Sequence, residues 1–558
     1  MDRNFVIGMI LMTVLFYLWI QWGNFFPSEE RRRAATQYSS TQAPPSTSPK
    51  GGAERRDGAS PPSTPGEEIP EIDRAAEEIV PYENEHYVVE LSTLGGSVKA
   101  WRLKHYYDSL GEDRKRVVLF DEKEPGDYLG QFRLGGSGFL ETGLVPYEHL
   151  PTTGEKVSFR WQSPAGVQVT KTYTFGEDYS ATLAIAIENR SEEAISGIPE
   201  IFLSRDFGTP TRRRRRFFPG PLVFAEKKLH KPRLKEIRKE PVTFFPASQV
   251  VWFGFDKKYF LTAVVPLEQE NVTTTLRNLY GDRVQIQTTS AARTVAPGET
   301  VTLSYMIYGG PKKLDLLEQK DFGLSHAIRF GWVEGISIFF LKILNFFYRI
   351  FGNYGVAIIL LTLLVRMALY PLSAKSFRSM KKMSEDMKKI QPELERVKEK
   401  YYETDRQRYQ REVMEVYKRN NVNPVGCVGS LAPTLLQIPV FIGLYYALYN
   451  AIELRHAPFV LWIQDLSAKD PLLITPILMG ISMYLSQKLT PTTTTDPMQK
   501  KMMTVMPIIF TFMFLGLPSG LILYWLVSNI ASIAQTYWMN KQYAREEAMA
   551  ATPGKRGR

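Results

Sequence analysis

The apolar residues of this chain are gathered into runs that are long enough to cross a lipid bilayer. One run near the N-terminus reads FVIGMILMTVLFYLWIQW, and several more follow residue 350, among them NYGVAIILLTLLVRMALYPL. A helix needs about 20 apolar residues to cross a hydrocarbon core of about 30 Å. The mean hydropathy of the whole chain is slightly negative because long polar stretches separate the runs. The pattern predicts a polytopic α-helical membrane protein.

The first apolar run predicts a membrane anchor, and the segment after it predicts a disordered linker. The run contains Trp19 and ends at Trp22, and Phe25 and Phe26 follow it. A cleaved signal peptide would need small residues there, so we expect an uncleaved membrane anchor at residues 1–23. Residues 24–80 are rich in Pro, Ser, Thr, Gly and charge and have no periodic apolar face. Such a composition does not offset the entropy of ordering, which predicts a disordered linker.

Residues 81–318 change to short alternating stretches rich in β-branched and aromatic residues, such as VQVTKTYTF and ETVTLSYMIYGG. Turn residues separate these stretches, and many short strands of this kind are typical of a sandwich or a barrel. We therefore expect a large β-sandwich domain. Its basic run Arg212–Arg216 is expected to be a solvated loop, and no DNA partner is expected in the compartment of this domain.

Residues 319–350 form an aromatic-rich apolar stretch that is interrupted by Arg329, Glu334, Lys342 and Arg349. Charges at this density favour an amphipathic helix that lies in the membrane interface. A frayed extension of the next spanning helix is the alternative.

Residues 351–540 hold five further apolar segments, which make six predicted spanning helices together with the anchor. Between the first two of these segments lies a charged stretch, 373–420, whose apolar residues recur at three- and four-residue steps and predict two helices paired as an antiparallel hairpin. Pro392 lies inside the first stripe and predicts a bend or a restart of that helix. The stripe residues are Met380, Met383, Met387, Ile390, Leu394 and Val397 in the first helix and Tyr409, Val413, Val416 and Tyr417 in the second.

The charge of the short loops predicts which segments of the chain lie on the cytoplasmic side of the membrane. The hairpin, the segment QKLTPTTTTDPMQKK and the tail at residues 541–558 are basic, whereas the loop NAIELRHAPFVLWIQDLSAKD is close to neutral. Basic short loops remain in the cytoplasm, so we expect the N-terminus, the hairpin and the tail there and the β-sandwich domain outside. The run RRRAA after the anchor is an exception, which we accept because long domains cross the membrane largely regardless of charge.

The C-terminal segments resemble one family closely. The segments NPVGCVGSLAPTLLQIPVFIGLYYALY and LSQKLTPTTTTDPMQKKMMTVMPIIFTFMFLGLPSGLILYWLVSN, with the anchored β-domain, are similar to the YidC family of membrane protein insertases of Gram-negative bacteria. The resemblance implies an inner-membrane protein with a periplasmic β-super-sandwich domain. It also implies a chaperone and insertase that moves short polar segments of new proteins across the membrane and releases apolar helices into lipid. The partners expected from it are nascent membrane proteins, the ribosome, the Sec translocon and the lipid bilayer.

Arg366 is the charge inside an apolar segment that most needs an explanation, because an arginine at the bilayer centre costs about 2.5–3.5 kcal/mol. The resemblance implies a hydrophilic groove with a basic residue at this position. No Asp or Glu occurs in the predicted spanning segments, so a lone cation here would attract acidic client segments and release them again. Snorkelling is the alternative, since Leu372 follows after only about 9 Å of helix.

Polar residues on three predicted helices share faces with one another and are candidates for lining this groove. Ser and Thr in membrane helices more often bond their own backbone or pack against a neighbour, so each is weak evidence alone. The predicted substrate-groove residues are Arg366, Thr362, Thr434, Gln437, Trp525, Ser528 and Ser532, and Gln535 continues the same spacing on the last helix.

Covalent chemistry finds little support in the sequence. The six histidines show no metal-binding spacing, no Gly-rich phosphate loop is present, and the single Cys427 excludes an intramolecular disulfide. We expect no catalytic residue, no metal and no cofactor. Two alternatives remain open, namely a transporter with an intramembrane polar site and a carbohydrate-binding or carbohydrate-modifying activity of the β-domain. The fold class of that domain hosts sugar isomerases in other proteins, but fold alone is poor evidence for activity.

Overall fold

A computed structural model describes most of the chain after residue 76. The described ranges are 77–121, 129–135, 145–207, 219–245, 249–268, 272–279, 281–328, 330, 333–402, 404–420, 426–490 and 497–551, with only the backbone described at 406, 426–436, 497–502, 547–548 and 550–551. All of these residues belong to one unit, Ile72–Arg558. The predicted anchor at 1–23, the linker up to residue 76, the run Arg212–Arg216 and residues 552–558 of the tail lie outside the described residues.

The β-domain, residues 77–318, is built from two antiparallel sheets. The first sheet has ten strands in the order β1-β2-β3-β5-β10-β17-β16-β13, with β4 on β3 and β18 on β10, and the second has nine in the order β12-β11-β14-β15-β19-β9-β8-β7-β6. The strands are β1 (Ile79–Glu83), β2 (Tyr87–Ser92), β3 (Ser97–Tyr107), β4 (Arg116–Asp121), β5 (Leu129–Gly135), β6 (Glu148–Thr153), β7 (Lys156–Gln162), β8 (Val167–Phe175), β9 (Ser180–Asn189), β10 (Ile195–Asp206), β11 (Gly220–Ala225), β12 (Lys228–His230), β13 (Val242–Phe244), β14 (Val250–Asp256), β15 (Phe260–Pro266), β16 (Thr273–Asn278), β17 (Arg283–Thr289), β18 (Arg293–Val295) and β19 (Thr300–Pro311).

The core of the β-domain lies between these sheets. In β9 buried residues alternate with partly exposed ones along most of the strand, as expected for a strand with one face toward a core. Trp101 in β3 of the first sheet approaches Gly309 in β19 of the second so closely that a Cβ at Gly309 would come within 2.6 Å of the indole ring. The two sheets therefore pack face to face as a sandwich. Strand β1 begins at Ile79, inside the last residues of the predicted linker.

Nine α-helices are described. They are α1 (Leu234–Ile237), α2 (Leu314–Glu318), α3 (Glu334–Phe351), α4 (Tyr354–Tyr401), α5 (Arg406–Arg419), α6 (Gly426–Asn450), α7 (Ile474–Leu489), α8 (Pro497–Phe514) and α9 (Ser519–Ala551), with 3-10 turns at Leu324–Ala327 and Ile452–Leu454. Within the described part of the chain only α4 is both long and apolar enough to cross a membrane, and Met503–Phe514 is a shorter apolar helix. The six spanning helices therefore stay a prediction.

Helix α3 occupies most of the predicted interfacial segment. Phe339, Phe346 and Ile350 are exposed on it, while Lys342 and Arg349 form ion pairs of 3.6 and 3.7 Å with carboxylates of α2. The helix thus presents apolar side chains outward and directs these two charges to the β-domain.

Helix α4 runs from the apolar segment into the hairpin without a break. It continues through Pro371 and Pro392 for 48 residues, so the restart considered at Pro392 does not occur. The side chain of Asp405 caps α5 by accepting hydrogen bonds from the backbone N–H groups of Gln407 and Arg408, both at 3.0 Å. The hairpin seam packs into a separate apolar cluster that consists of Met383, Met387, Ile390, Leu394, Val397, Val416 and Tyr417.

One end of the helical part contacts the β-domain. The ammonium of Lys258 lies 4.2 Å from the centre of the Tyr449 ring at the end of α6. The loop between α6 and α7 continues this end, and its Ala468 carbonyl accepts a hydrogen bond of 2.8 Å from the Ser519 hydroxyl at the start of α9. The β-domain, this loop and the turn before α9 therefore share one end.

The opposite end carries the hairpin. Arg378 in α4 forms an ion pair of 3.0 Å with Glu546 near the end of α9, and the Asn540 amide donates to the carbonyl of Leu489 at the end of α7. Helix α9 continues as a helix to Ala551, into the segment predicted as a tail. The base of the hairpin and the ends of α7 and α9 therefore lie together.

Candidate functional site

Arg366 lies inside the apolar half of α4, 12 residues after Tyr354, which is about 18 Å along a helix. Its guanidinium Nε and one terminal nitrogen donate to the hydroxyl of Ser528 in α9, at 3.0 and 2.6 Å. Ser528 is buried, and α9 is thereby joined to α4 at this depth. Among the described residues no carboxylate forms an ion pair with Arg366, so its charge is solvated there by a neutral group.

Tyr524 and Gln437 extend this contact to a third helix. Tyr524 lies one turn before Ser528 on α9 and is 3% exposed. Its hydroxyl interacts with the side chains of Ser528 and of Gln437 in α6. Arg366, Ser528, Tyr524 and Gln437 form a continuous polar cluster across α4, α9 and α6, which we call the Arg366 cluster.

A second contact to α4 comes from Gln535, two turns after Ser528. Its side-chain amide donates to the backbone carbonyl of Arg366 at 3.4 Å. Two polar side chains of α9 therefore bracket Arg366, one at its charged head and one at its backbone.

The opposite side of α4 at this level is apolar and exposed. Leu364 is 44% exposed, and Met367 is 73% exposed. Exposed apolar side chains on one face and polar contacts on the other are expected for a membrane helix that has lipid on one side and protein on the other. The guanidinium of Arg366 therefore points into the helix bundle, toward α9.

The other predicted groove residues lie in different surroundings. Thr362 is fully buried and donates to the carbonyl of Ile358 in its own helix at 2.6 Å, which is the alternative considered for membrane Ser and Thr. Trp525 packs among aromatic rings, with centroids 4.8 Å from Phe441 and 4.6 Å from Phe514. Ser532 is half-buried one turn after Ser528. The side chain of Thr434 lies outside the described residues.

Tyr524 was not among the residues singled out from the sequence. Its signal was available, because it stands four residues before Ser528 on the same face of α9 and its hydroxyl needs a partner in an apolar segment. Within the described residues no group of three His, Cys, Asp or Glu side chains is arranged to hold a metal ion.

Comparisons with known proteins cover both parts of the chain. Residues 346–547 match the family described as 60Kd inner membrane protein, and residues 80–343 match the YidC periplasmic domain. The membrane protein insertase YidC of Geobacter sulfurreducens is 40% identical over 468 residues, which are 83% of this chain and 86% of that protein. This chain belongs to the YidC family.

Two further YidC proteins extend the comparison. The membrane protein insertase YidC of Geobacter metallireducens is 37% identical over 555 residues, which are 98% of this chain and 100% of that protein. A crystal structure of an active YidC insertase with its first transmembrane domain resolved is 20% identical, with a TM-score of 0.33 over 83% of this chain and 95% of that one.

The boundary between the two YidC matches falls inside α3. The periplasmic-domain match contains the β-domain and most of α3, and the inner-membrane match contains α4 to α8 and most of α9. All members of the Arg366 cluster fall within the inner-membrane match. The predicted YidC membership and the β-sheet-rich domain beside a helical membrane part are confirmed.

Proposed function

We propose that this chain inserts newly made membrane proteins into the inner membrane, with Arg366 as the electrostatic acceptor for polar client segments. The relatives named membrane protein insertase support the activity. The observation that carries the role of Arg366 is its contact with the Ser528 hydroxyl in place of a carboxylate. Chaperone activity toward the same clients belongs to this proposal.

A neutral partner leaves the charge of Arg366 available. A carboxylate would neutralise the guanidinium permanently, and a client would have to displace it. A hydroxyl satisfies the N–H donors and keeps the positive charge. Two opposite unit charges 4 Å apart attract by about 4 kcal/mol at an effective dielectric of 20 and by about 1 kcal/mol in water. An acidic client segment would therefore bind at this depth and leave again.

The orientation belongs to the same proposal. We infer six spanning helices, with the N-terminus, hairpin and α9 end in the cytoplasm and the β-domain in the periplasm. The basic charge of the segments at the hairpin end supports this orientation, as does the contact of the β-domain with the near-neutral loop at the opposite end, through Lys258 and Tyr449. Clients would then enter from the hairpin end.

The hairpin is proposed to receive clients and ribosomes. Its tip combines tyrosines with cations, since Lys398 lies over the Tyr402 ring at 5.6 Å and Arg408 over the Tyr401 ring at 4.8 Å. Cations and aromatic rings of this kind suit contact with RNA phosphates and bases. The Sec translocon is proposed as a further partner, on the basis of family resemblance alone.

Reconstitution into liposomes tests the proposal. The full chain is incorporated in vesicles and supplied with a nascent protein of one or two spanning segments. Protease protection of the client's polar tail should require the protein, and Arg366→Ala should lower it. Protection equal to that of empty vesicles would contradict the insertase activity, and a solute flux through the same vesicles would instead favour a transporter.

A further inference from the structure

The loop between α6 and α7 has the polarity of a membrane-embedded segment, with carboxylates inside and leucines outside. Asp470 is 1% exposed, whereas Leu461 is 73%, Leu472 57% and Val460 50% exposed. In a loop surrounded by water the opposite distribution is expected. We propose that residues 459–473, here called the leucine loop, lie at the bilayer leaflet on the side of the β-domain, with Val460, Leu461 and Leu472 in the acyl-chain region and the exposed Gln464 and Lys469 toward the headgroups.

Several backbone groups of the leucine loop form hydrogen bonds within the protein, as an environment without water requires. The N–H of Phe459 donates to the carbonyl of Ile463 at 2.9 Å, and the N–H of Leu466 donates to the carbonyl of Ala457 at 3.0 Å. Lipid offers no hydrogen bonds, so a segment within it has to satisfy its backbone internally. The loop meets this requirement at Phe459, Ile463 and Leu466.

The two aspartates of this region complete the internal hydrogen bonding. Asp470 accepts from the Trp462 indole at 3.1 Å and from the Thr475 backbone and hydroxyl, both at 2.7 Å. Asp465 accepts from the N–H groups of His456 and Ser467, at 3.1 and 2.8 Å. Both carboxylates are turned toward the protein.

Two leucines of the loop adopt a backbone conformation that leucine rarely takes. Leu461 has a φ of 55° and Leu473 a φ of 58°, in the left-handed region that Gly and Asn occupy at lower cost. A polar turn would use those residues. The side chain of Leu461 is 73% exposed, which is consistent with insertion in lipid.

The position of the loop along α4 matches the membrane surface. Phe459 packs against Gly355 in the first turn of α4, where a Cβ would come within 1.9 Å of its ring, and the Asn353 amide donates to the Phe459 carbonyl at 3.1 Å. At the other end, Leu472 leads directly into α7, whose Ile477 is 50% exposed. The exposed leucines are thus continuous with the apolar surfaces of two membrane helices, which favours lipid over a protein partner.

Spin labels on the full chain test whether the leucine loop lies in lipid. In a Cys427→Ser background, Leu461→Cys and Leu472→Cys are labelled with a nitroxide and reconstituted in phosphatidylethanolamine–phosphatidylglycerol vesicles. Collision with oxygen, which concentrates in lipid, is compared with collision with a water-soluble nickel complex. Ile481→Cys on α7 serves as the lipid reference and Glu112→Cys in the β-domain as the water reference.

Both loop labels should resemble the Ile481 label, with oxygen collisions favoured over nickel collisions. Nickel collisions like those of the Glu112 label would overturn the proposal, because the loop would then face water. Low collision rates with both reagents would overturn it as well, since the leucines would then be covered by protein. Because two positions are tested, failure of one variant to fold leaves the other informative.

Discussion

Two nitrogens of Arg366 share one acceptor, the hydroxyl oxygen of Ser528, at 3.0 and 2.6 Å. A serine hydroxyl has two lone pairs, so it can accept from both nitrogens of the guanidinium, and Tyr524 interacts with the same hydroxyl. The contact satisfies donors without neutralising charge. Substitutions on the two sides of this contact should therefore have different effects.

Replacing Arg366 tests the need for charge. Arg366→Lys should retain insertion, because the site needs a cation more than a planar fork. Arg366→Ala should reduce insertion of a client with an acidic tail about tenfold or more, since each 1.4 kcal/mol of lost attraction is a factor of about ten. The same client with a neutral tail should be affected least. Protease protection of acidic, neutral and basic tails measures the difference, and equal insertion of the acidic tail by parent and Arg366→Ala would leave Arg366 as a snorkelling anchor.

Replacing Ser528 tests the partner separately. Ser528→Ala leaves a guanidinium without its acceptor, which should destabilise the packing of α9 on α4 by about 1–3 kcal/mol. The cation remains, so insertion of the acidic-tail client should persist at temperatures where the variant stays folded. Thermal unfolding in detergent measures the first effect. Ser532→Ala, one turn further along α9, is the matched control and should change stability less.

The hairpin seam should be stable only while its apolar cluster is intact. Ile390 is 3% exposed, and Ile390→Ala should destabilise the pairing of α4 with α5 by about 2–5 kcal/mol through lost burial and a cavity. Met414→Ala is the control, because Met414 on α5 is 47% exposed. Limited proteolysis should then cut residues 376–419 faster in Ile390→Ala alone. Equal cutting in both variants would show that the cluster does not hold the hairpin.

Cysteine labelling tests the orientation. In the Cys427→Ser background, Lys388→Cys in the hairpin and Lys500→Cys in the first turn of α8 should react with a membrane-impermeant maleimide only in inside-out vesicles. Glu112→Cys in the β-domain should react in intact spheroplasts, since it lies on the opposite side. Labelling of Lys500→Cys from the outside of spheroplasts would overturn the proposed topology.

A buried lysine should make the β-domain more stable at alkaline pH. Lys171 in β8 is fully buried, where its ammonium donates to the carbonyls of Gly95 and Gly130 at 2.5 and 3.1 Å. Burial lowers its pKa from 10.5 to about 7. Between these values the unfolded chain binds a proton that the folded domain has released, so the free energy of unfolding should rise with pH, by at most about 1.4 kcal/mol per unit.

Urea unfolding of the full chain, followed by near-ultraviolet circular dichroism between pH 7 and 10, measures this rise. Lys171→Met removes the titrating group while keeping a long side chain, and its unfolding should depend less on pH. A parent protein with the same pH dependence as Lys171→Met would rule out the effect.

Periodicity was sufficient to predict the elements with the clearest patterns. The alternation in VQVTKTYTF corresponds to β8, and the stripe from Met383 to Val397 lies in the hairpin cluster. Periodicity cannot predict contacts between residues that are distant in the sequence. Arg366 and Ser528 are 162 residues apart, and only the packing of α9 on α4 decides that they meet. The hydrogen-bond partner of a single side chain could not be predicted either, since nothing in the sequence decides whether the Thr362 hydroxyl bonds to its own helix or to a neighbouring one.

The inverted polarity of the α6–α7 loop illustrates another limit. Its composition is close to neutral and resembles an ordinary polar connection. Internal hydrogen bonds to Asp465 and Asp470 turn the carboxylates inward, and this cannot be inferred from a count of charges. Sequence patterns describe which residues are present in such a loop, and tertiary bonds determine which of them face outward.

Because α4 is unbroken, a movement at its apolar end would be carried along the helix to the hairpin. From Arg366 to Tyr401 the helix extends about 50 Å, and this stretch has the Arg366 cluster at one end and the hairpin tip at the other. A tilt of about 10° at Arg366 would swing the tip by about 9 Å if the rod stays rigid. Through such a tilt, binding of a client at the proposed Arg366 site would move the surface at which the next client arrives. A bend at Pro371 or Pro392, which both lie between the site and the tip, would reduce this movement.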